Sequence, residues 1–424
     1  MTSVRSRLRL LSGNRIGWIV VLSILMIGGC EALRRMPAPH PLPPSPTQDT
    51  MVKTLDTILP PSPTRPQYHA AYDFIYLMEG PSDKLDRNSM RSIEVFRGGV
   101  VAAEVLKDCG LSLRMRLASN LEWAGLSSDS SVLFGPFWRT APIVDSICRS
   151  VGCKQVVGGQ VAFDTVGGEM LRIVITPLPA MLGAVVAQRI DRRYSHWRVV
   201  VMLDRTDSTR LPYFEQWLAG FKTAATQFGL QWDVRYLSPR EVSWRRVGLR
   251  LRPTTSDSHV VVVLAVNPEF VTGILSYLVE KTTKVNKAKL GQDTVLPVVA
   301  VGLPQWQRFA HVEPEIWNRL KVEIATTYYV DYHRPDVQRF VKAYRKRFAT
   351  EPSPYAFWGF DATLLIGKVL RRGGAKWDHT FPAFGIPMLS TQSRFERLPQ
   401  GWVNRHVWVL KFLNYRWYPL DSRF

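Results

Sequence analysis

Hydrophobic positions change their spacing repeatedly along the chain from residue 72 onward. Short and nearly unbroken apolar runs at 72–78, 197–203 and 260–264 are typical of strands that are buried on both faces of a sheet. Longer stretches, such as 88–106 and 211–228, carry apolar residues at helical spacing. Strands that alternate with helices in this way predict parallel sheets with helices on both faces.

The alternation restarts near Arg198, and the predicted strands are too many for one sheet of ordinary size. Further strands are predicted at 111–117, 132–134, 154–157, 232–236 and 295–301, and a further helix at 268–281. We therefore expect an α/β fold of two lobes. Lobe 1 is predicted to comprise residues 71–193 and 328–375, and lobe 2 to comprise residues 194–327 and 376–424.

The first 30 residues have the pattern of an export signal. Four arginines and no acidic residue precede an apolar run at 16–27, which is long enough for a signal-peptide core but short for a membrane span. Gly28, Gly29 and Cys30 follow it and resemble the lipobox of bacterial lipoproteins. That resemblance implies removal of residues 1–29 and attachment of acyl chains such as palmitate to Cys30. An uncleaved N-terminal anchor with an incidental cysteine is the alternative.

Residues 30–70 are predicted to form a proline-rich tether between the membrane and the folded part. Ten prolines lie between Met36 and Pro66. Prolines at this density favour extended conformations, and about thirty residues at roughly 3 Å each could reach ~90 Å. Glu31, directly after the cysteine, favours the periplasmic side of the outer membrane over the inner membrane.

The chain is strongly basic, with a formal net charge of +20, of which residues 1–29 contribute four arginines. An exported basic protein can be attracted to anionic lipids or glycans, although a dispersed basic surface without a partner explains the charge equally well. Nucleic acid is not an expected partner of an exported lipoprotein.

Cys109, Cys148 and Cys153 remain if Cys30 is acylated, and an exported protein can form one disulfide. Cys148 and Cys153 are the favoured pair because four residues including a glycine could turn between them. Cys109 would then be a buried thiol, although its pairing with either of the others stays open. The sequence has no CxxC motif and its eight histidines are scattered, so no metal site is expected.

The order of elements resembles the type I periplasmic-binding proteins, the family of leucine/isoleucine/valine-binding proteins, from about residue 72 to 419. The matching landmarks are the turn at 133–136, the strand 198–204 with the helix after it, the segment 329–361 and the closing strands at 394–410. The resemblance implies two doubly wound, Rossmann-like lobes that are joined by crossover strands and close around a ligand. Asp361 is expected to have a structural role near the hinge.

Ligands of doubly wound sheets bind beyond the carboxyl ends of the strands, where loops and helix N-termini meet. The candidate ligand-binding residues at those positions are Gly135, Arg139, Thr140, Gln160, Asp204, Asn267 and Gly302. Amino-acid-binding members of the family place small hydroxyl residues after the Gly-Pro turn, whereas this chain has Phe137 and Trp138 there. Arg139 could replace those hydroxyls as a clamp for a carboxylate or phosphate. Equally, the two aromatic rings could fill the cleft.

Two functions are compatible with these features. The first is a membrane-anchored solute-binding lipoprotein that presents a small polar or anionic ligand, such as an amino acid or peptide, to an ABC transporter or receptor. The second is a fold relative without a ligand that acts as an envelope scaffold or regulator, as penicillin-binding protein activators do. No catalytic motif of the common hydrolase, metalloprotease or nucleotide-binding types is present, so neither an enzyme nor a cofactor is expected.

Overall fold

The computed structural model describes residues 72–79, 86–118, 130–137, 142–158, 172–248, 258–288, 298–374, 377, 381, 384–399 and 401–420. The expected signal peptide and tether, Cys30, and the candidate residues Arg139, Thr140 and Gln160 lie outside these ranges. None of the helices in the described part of the chain combines the length and the apolar composition needed to span a membrane.

Fifteen strands are found among the described residues. They are β1 (Tyr72–Leu77), β2 (Leu113–Ala118), β3 (Ser131–Phe134), β4 (Lys154–Val157), β5 (Arg172–Val174), β6 (Arg198–Asp204), β7 (Trp232–Leu237), β8 (His259–Leu264), β9 (Val298–Gly302), β10 (Glu323–Thr326), β11 (Phe384–Pro387), β12 (Gln392–Leu398), β13 (Gly401–Asn404), β14 (Trp408–Leu413) and β15 (Arg416–Pro419). They form one sheet in the order β11-β12-β13-β5-β4-β3-β1-β2 and a second in the order β15-β14-β10-β9-β8-β6-β7.

The helices cover these sheets. They are α1 (Arg87–Asp108), α2 (Pro142–Val151), α3 (Pro179–Tyr194), α4 (Leu211–Gln227), α5 (Pro239–Ser243), α6 (Pro268–Ala288), α7 (Pro314–Arg319), α8 (Pro335–Phe348) and α9 (Pro354–Gly373), with a 3-10 helix at Pro304–Arg308. The central strands of both sheets run parallel, while β11, β12, β14 and β15 pair antiparallel with their neighbours. The predicted doubly wound sheets are therefore parallel in their centres and mixed at one edge.

The predicted division into lobes was wrong at two places. Helix α3 was assigned to lobe 1, but Leu182, Val186 and Ile190 belong to the core of the second sheet. Residues 376–424 were assigned entirely to lobe 2, but β11, β12 and β13 belong to the first sheet. The reason is that β13 pairs in parallel with β5 and extends the first sheet, so the chain crosses to lobe 2 only after Asn404.

The chain crosses between the two sheets three times within the described residues. The crossings are the connections from β5 to α3, from β10 to α8 and from β13 to β14. Each is short enough to act as part of a hinge, in agreement with the crossover strands that the family resemblance implied.

The cysteines differ in their surroundings. Cys148 and Cys153 are joined as a disulfide between the end of α2 and the start of β4, with their Cα atoms 4.9 Å apart. Cys109, which was expected to be buried, is exposed at the end of α1. That expectation was wrong because Gly110 ends the helix at the surface, so the last turn of α1 is open to solvent.

Candidate ligand cleft

The lobe 1 wall of the cleft begins where β1 and β3 end. Gly135, with a φ of 116°, turns the chain after β3, and the ring of Phe137 then folds into the protein. Phe137 meets the indole of Trp358 edge-on, with 4.5 Å between ring centroids. The aromatic side chain after the Gly-Pro turn thus packs against helix α9.

The backbone N–H of Phe137 is already used by the protein. It donates a hydrogen bond to the carboxylate of Glu79, which follows β1 and is only 8% exposed. The N–H of Glu79 itself donates to Ser92 Oγ at 3.0 Å, which ties the loop to the start of α1. An internal carboxylate therefore accepts the hydrogen bond from the first N–H after the Gly-Pro turn.

A buried polar network supports this turn from behind. Gln155 on β4 donates to the carbonyl oxygen of Gly135 at 2.9 Å and accepts a bond from Arg172 Nε at 3.1 Å. Arg172 also forms an ion pair of 2.7 Å with Asp145 on α2. Both charged groups are buried, so each offsets the cost of burying the other's charge. The sequence analysis missed Arg172 because it predicted no strand at β5, although Ile173, Val174 and Ile175 are β-branched residues typical of one.

The lobe 2 wall contains Asp204 at the end of β6. Its Oδ1 accepts hydrogen bonds from the N–H and the hydroxyl of Thr206, at 2.9 and 2.6 Å. Its Oδ2 is buried and has no hydrogen-bond partner among the described residues. The carboxylate lines a cavity of about 580 Å³ together with Arg210, Asn267 and Glu269. The structure therefore brings together two of the predicted residues, Asp204 and Asn267.

Asn267 and Gly302 have clear structural roles. Asn267 Oδ1 accepts from the backbone N–H groups of Glu269 and Phe270, at 2.9 and 3.4 Å, so this side chain caps α6. A Cβ at Gly302 would overlap the indole of Trp306, which lies across the ends of β8 and β9. Trp306 Nε1 donates to the carbonyl oxygen of Ala265 at 2.9 Å and the ring is fully buried. An aromatic ring thus covers the strand end at which a ligand was expected.

The crossings are fixed by Asp361 on α9. Its buried carboxylate accepts hydrogen bonds from Leu389 N, Ser390 N and Ser390 Oγ, at 2.6, 2.9 and 2.6 Å. The carbonyl oxygen of Ser390 in turn accepts from Tyr329 N on the second crossing, at 3.0 Å, and from Trp408 Nε1 at the start of β14, at 3.1 Å. Burial raises the pKa of Asp361 to about 6, although the three donors act in the opposite direction.

His406 lies on the third crossing. Its ring packs edge-on against Trp408, with 4.6 Å between centroids, and only 2% of the residue is exposed. Burial, together with the nearby charge of Arg394, lowers the pKa of His406 to about 4. The imidazole is therefore neutral at physiological pH.

The described residues contain no group of three or more His, Cys, Asp and Glu side chains that could hold a metal ion. Gly135, Asp204 and Gly302 lie at or directly after strand ends, and Asn267 lies three residues after the end of β8. Of these four residues, Asp204 alone combines burial with an oxygen that lacks a hydrogen-bond partner in the described part of the chain.

Comparison with known proteins gives matches among solved structures. No family model and no curated protein matches the chain. A Rhodospirillum rubrum protein assigned to branched-chain amino acid ABC transport superposes with a TM-score of 0.55 at 12% identity, covering 82% of this chain and 99% of that chain. The C-domain of LpoA (YraM) from Haemophilus influenzae, described as a regulator of PBP1A, superposes with a TM-score of 0.54 at 11% identity, covering 83% of this chain and 100% of that domain.

An amino acid ABC transporter substrate-binding protein from Pseudomonas fluorescens Pf-5 is also similar, with a TM-score of 0.50 at 12% identity over 81% of this chain and 91% of that chain. At this identity the likeness establishes the fold alone. The chain has the two-lobe type I periplasmic-binding fold, and the predicted fold class is confirmed.

Proposed function

We propose that the protein is an envelope scaffold or regulator of the type I periplasmic-binding fold that works without a solute in its cleft. The hydrogen bond from Phe137 N–H to Glu79 is the observation that carries this proposal. A solute carboxylate at this turn would have to displace a buried carboxylate of the protein itself and leave it without that donor. The packing of Phe137 on Trp358 and of Trp306 on Gly302 supports the same reading.

The similarity to the LpoA C-domain supports this choice, because that protein is described as a regulator rather than as a transporter component. The partner we expect is another protein of the cell envelope. We place the mature chain on the periplasmic side of the outer membrane, attached through acylated Cys30 and held away from the lipid by residues 30–70. The +20 charge of the chain is compatible with an acidic partner surface.

Solute binding for an ABC transporter is the second candidate, and the cavity beside Asp204 favours it. A buried carboxylate oxygen without a donor is costly unless a bound group supplies one. An ammonium or hydroxyl group of a small polar ligand would do so. In this case Arg139, Thr140 and Gln160 would contribute from lobe 1, with Arg139 as the clamp for an anionic group.

Native mass spectrometry of the full chain, purified from an exporting host in mild detergent, separates the two candidates. The proposal predicts the mass of the acylated protein alone, unchanged after incubation with amino acids, peptides and sugars. A retained small-molecule mass that is lost on mild denaturation would contradict it. Asp204→Asn then locates that molecule, because its retention should fall in this variant and persist in the exposed control Asp233→Asn.

A further inference from the structure

A four-residue turn at the surface of lobe 2 follows helix α5. Its residues, 243–246, are all exposed, whereas Val242 before it and Val247 after it are buried in the lobe 2 core. We propose that this segment, the exposed turn, binds the surface of a membrane that contains anionic phospholipids. The turn contains none of the candidate cleft residues, so this inference does not rest on the proposed function.

The backbone of the exposed turn is held in a defined conformation. Arg246 N donates to the carbonyl oxygen of Glu241 at 2.8 Å, and Arg245 has a left-handed φ of 57°, which is a common way to end a helix. After the turn, the carbonyl oxygen of Val247 accepts a hydrogen bond from Arg235 Nη1 on β7 at 3.0 Å. The exposed side chains therefore project from a turn that is tied to the lobe on both sides.

The side chain of Trp244 is a large apolar group at the surface. Among the tryptophans of the described residues, Trp244 alone is exposed, with 58% of its surface accessible. It belongs to none of the hydrophobic clusters in the described part of the chain. An indole combines an apolar ring with one N–H donor, and tryptophan is for this reason enriched where lipid headgroups meet hydrocarbon. The ring is thus available for a contact outside the protein.

Arginines surround this indole. The guanidinium of Arg246 lies over the ring of Trp244, 5.0 Å from its centroid. Arg240 is exposed on α5, four residues before the indole. Within the described ranges, neither Arg240 nor Arg246 has a carboxylate at ion-pair distance. Both guanidinium groups can therefore contact anionic headgroups without breaking an ion pair of the protein.

The carboxylates near the exposed turn do not cancel its charge. Three of them already have an arginine partner, in the pairs Arg205–Glu241 at 3.1 Å, Arg235–Asp233 at 3.0 Å and Arg245–Glu280 at 3.4 Å. Glu269 lines a cavity with Ser243 and Arg245 and has no ion pair in the described part of the chain. It stands against three cations, which are Arg240, Arg246 and Lys281. The excess is positive and is complementary to an anionic bilayer.

The small size of the exposed turn favours a lipid surface over an acidic protein. A stable protein interface comprises roughly 20–30 residues on each side, far more than this turn provides. A bilayer surrounds a single inserted indole with many anionic headgroups, and each basic residue near its surface adds to the attraction. Such a contact would fix which side of lobe 2 faces the lipid.

Surface plasmon resonance of the full chain in neutral phosphatidylcholine nanodiscs tests this inference. The probe is an immobilised bilayer of equal parts phosphatidylcholine and phosphatidylglycerol, and empty nanodiscs are the blank. We expect saturable binding that weakens as the salt concentration rises, and no binding to a bilayer of phosphatidylcholine alone. Arg246→Gln should weaken binding about fivefold, and Trp244→Ala by at least as much.

Two matched variants make the test specific to the exposed turn. Tyr415→Asn removes an aromatic ring that is 59% exposed in the turn between β14 and β15, and asparagine tolerates the φ of 64° at this position. Arg339→Gln removes an arginine from the exposed face of α8 in lobe 1. Both variants should bind the anionic bilayer as the wild type does. Trp244→Ala and Arg246→Gln should unfold at the same urea concentration as the wild type, which separates loss of the contact from loss of the fold.

Three results would overturn the inference. The first is absence of binding to the anionic bilayer, equal binding to the neutral bilayer, or equal losses in the matched variants and in Trp244→Ala and Arg246→Gln. The second is displacement from the bilayer by millimolar inorganic phosphate, which would assign the turn to soluble anions. The third is equally strong binding to immobilised poly-L-glutamate that Trp244→Ala does not weaken, which would assign the turn to an acidic protein surface.

Discussion

Single buried charges determine much of the local geometry of this molecule. Glu79, Asp361 and Arg172 each hold backbone or side-chain groups that belong to other elements. Each is buried and has a hydrogen-bond or ion-pair partner, which is the condition under which a protein tolerates an interior charge. The sequence indicated Asp361 as a structural residue near the hinge, but it gave no reason to single out Glu79 or Arg172.

Replacement of Asp361 by alanine should strongly destabilise the protein. The change leaves the N–H groups of Leu389 and Ser390 without their acceptor in a buried site, and we expect a loss of about 3 kcal/mol or more. Chemical denaturation followed by tryptophan fluorescence measures it. Asp233→Ala, at an exposed position of β7, is the control and should change the free energy of unfolding little. A loss as small as that of the control would show that Asp361 does not fix the crossings.

His406 should make the protein less stable as the pH falls. Its pKa is about 4 in the folded state against an ordinary value of 6.5, so the unfolded chain takes up a proton first. The neutral ring therefore makes its full contribution to the free energy of unfolding above pH ~6.5, and this contribution is lost as the pH falls towards ~4. Chemical denaturation of the wild type and of His406→Phe over this pH range measures the effect. The free energy of unfolding of the wild type should fall relative to that of His406→Phe as the pH falls.

Asp361 also makes the free energy of unfolding depend on pH, with the opposite sign. Because the wild type and His406→Phe both contain Asp361, its contribution cancels in the difference between them. The raised pKa of this carboxyl means that its contribution is complete below pH 3.8 and is lost as the pH rises through about 6. A difference between wild type and His406→Phe that does not change with pH would show that the histidine is not held neutral.

Attachment of the protein to a membrane through acylated Cys30 is still a prediction. If residues 28–30 act as a lipobox, Cys30→Ser should stop acylation and either release the protein from membranes or stall processing at residue 29. Cell fractionation and the intact mass of the protein check this result. Unchanged mass and membrane retention would instead favour an uncleaved anchor.

Helix pairs are held at very short distances by glycine. In lobe 1, a Cβ at Gly359 on α9 would overlap the carbonyl oxygen of Val95 on α1, and in lobe 2 Gly220 on α4 stands in the same relation to Ala180 on α3. Most elements were predicted within a few residues of their observed ends because their apolar periodicity is strong. Helix α1, predicted over 88–106, begins at Arg87, and Asp86 caps it by accepting from Asn88 N and Ser89 N.

Gly220→Ala should force α3 and α4 apart. The added methyl group meets backbone rather than a flexible side chain, so the cost should be about 1–3 kcal/mol although alanine is the better helix former. The free energy of unfolding from urea denaturation measures it. Glu215→Ala, at an exposed position of the same helix, supplies the reference, and equal stability of the two variants would contradict the close contact.

At the scale of the whole molecule, three crossings join two sheets whose strands come from separate parts of the chain. The family resemblance implies that such an arrangement closes around a ligand, but the proposed function predicts no ligand-driven closure here. Small-angle scattering of the full chain should give the same radius of gyration with and without a mixture of amino acids. A clear decrease on addition, which is absent in Asp204→Asn, would favour solute binding instead.

Local apolar periodicity and turn residues are sufficient to predict two α/β lobes, the strand-end positions of Gly135, Asp204 and Gly302, and the position of Asn267 in the loop after β8. The tertiary structure alone assigns α3 and β11–β13 to their lobes, since strand pairing such as β13 with β5 is a contact between distant parts of the chain. It also decided that Glu79 occupies the N–H of Phe137. Glu79 and Phe137 are 58 positions apart in the sequence and meet because β1 and β3 are neighbours in the parallel sheet. No local sequence pattern could have predicted this contact.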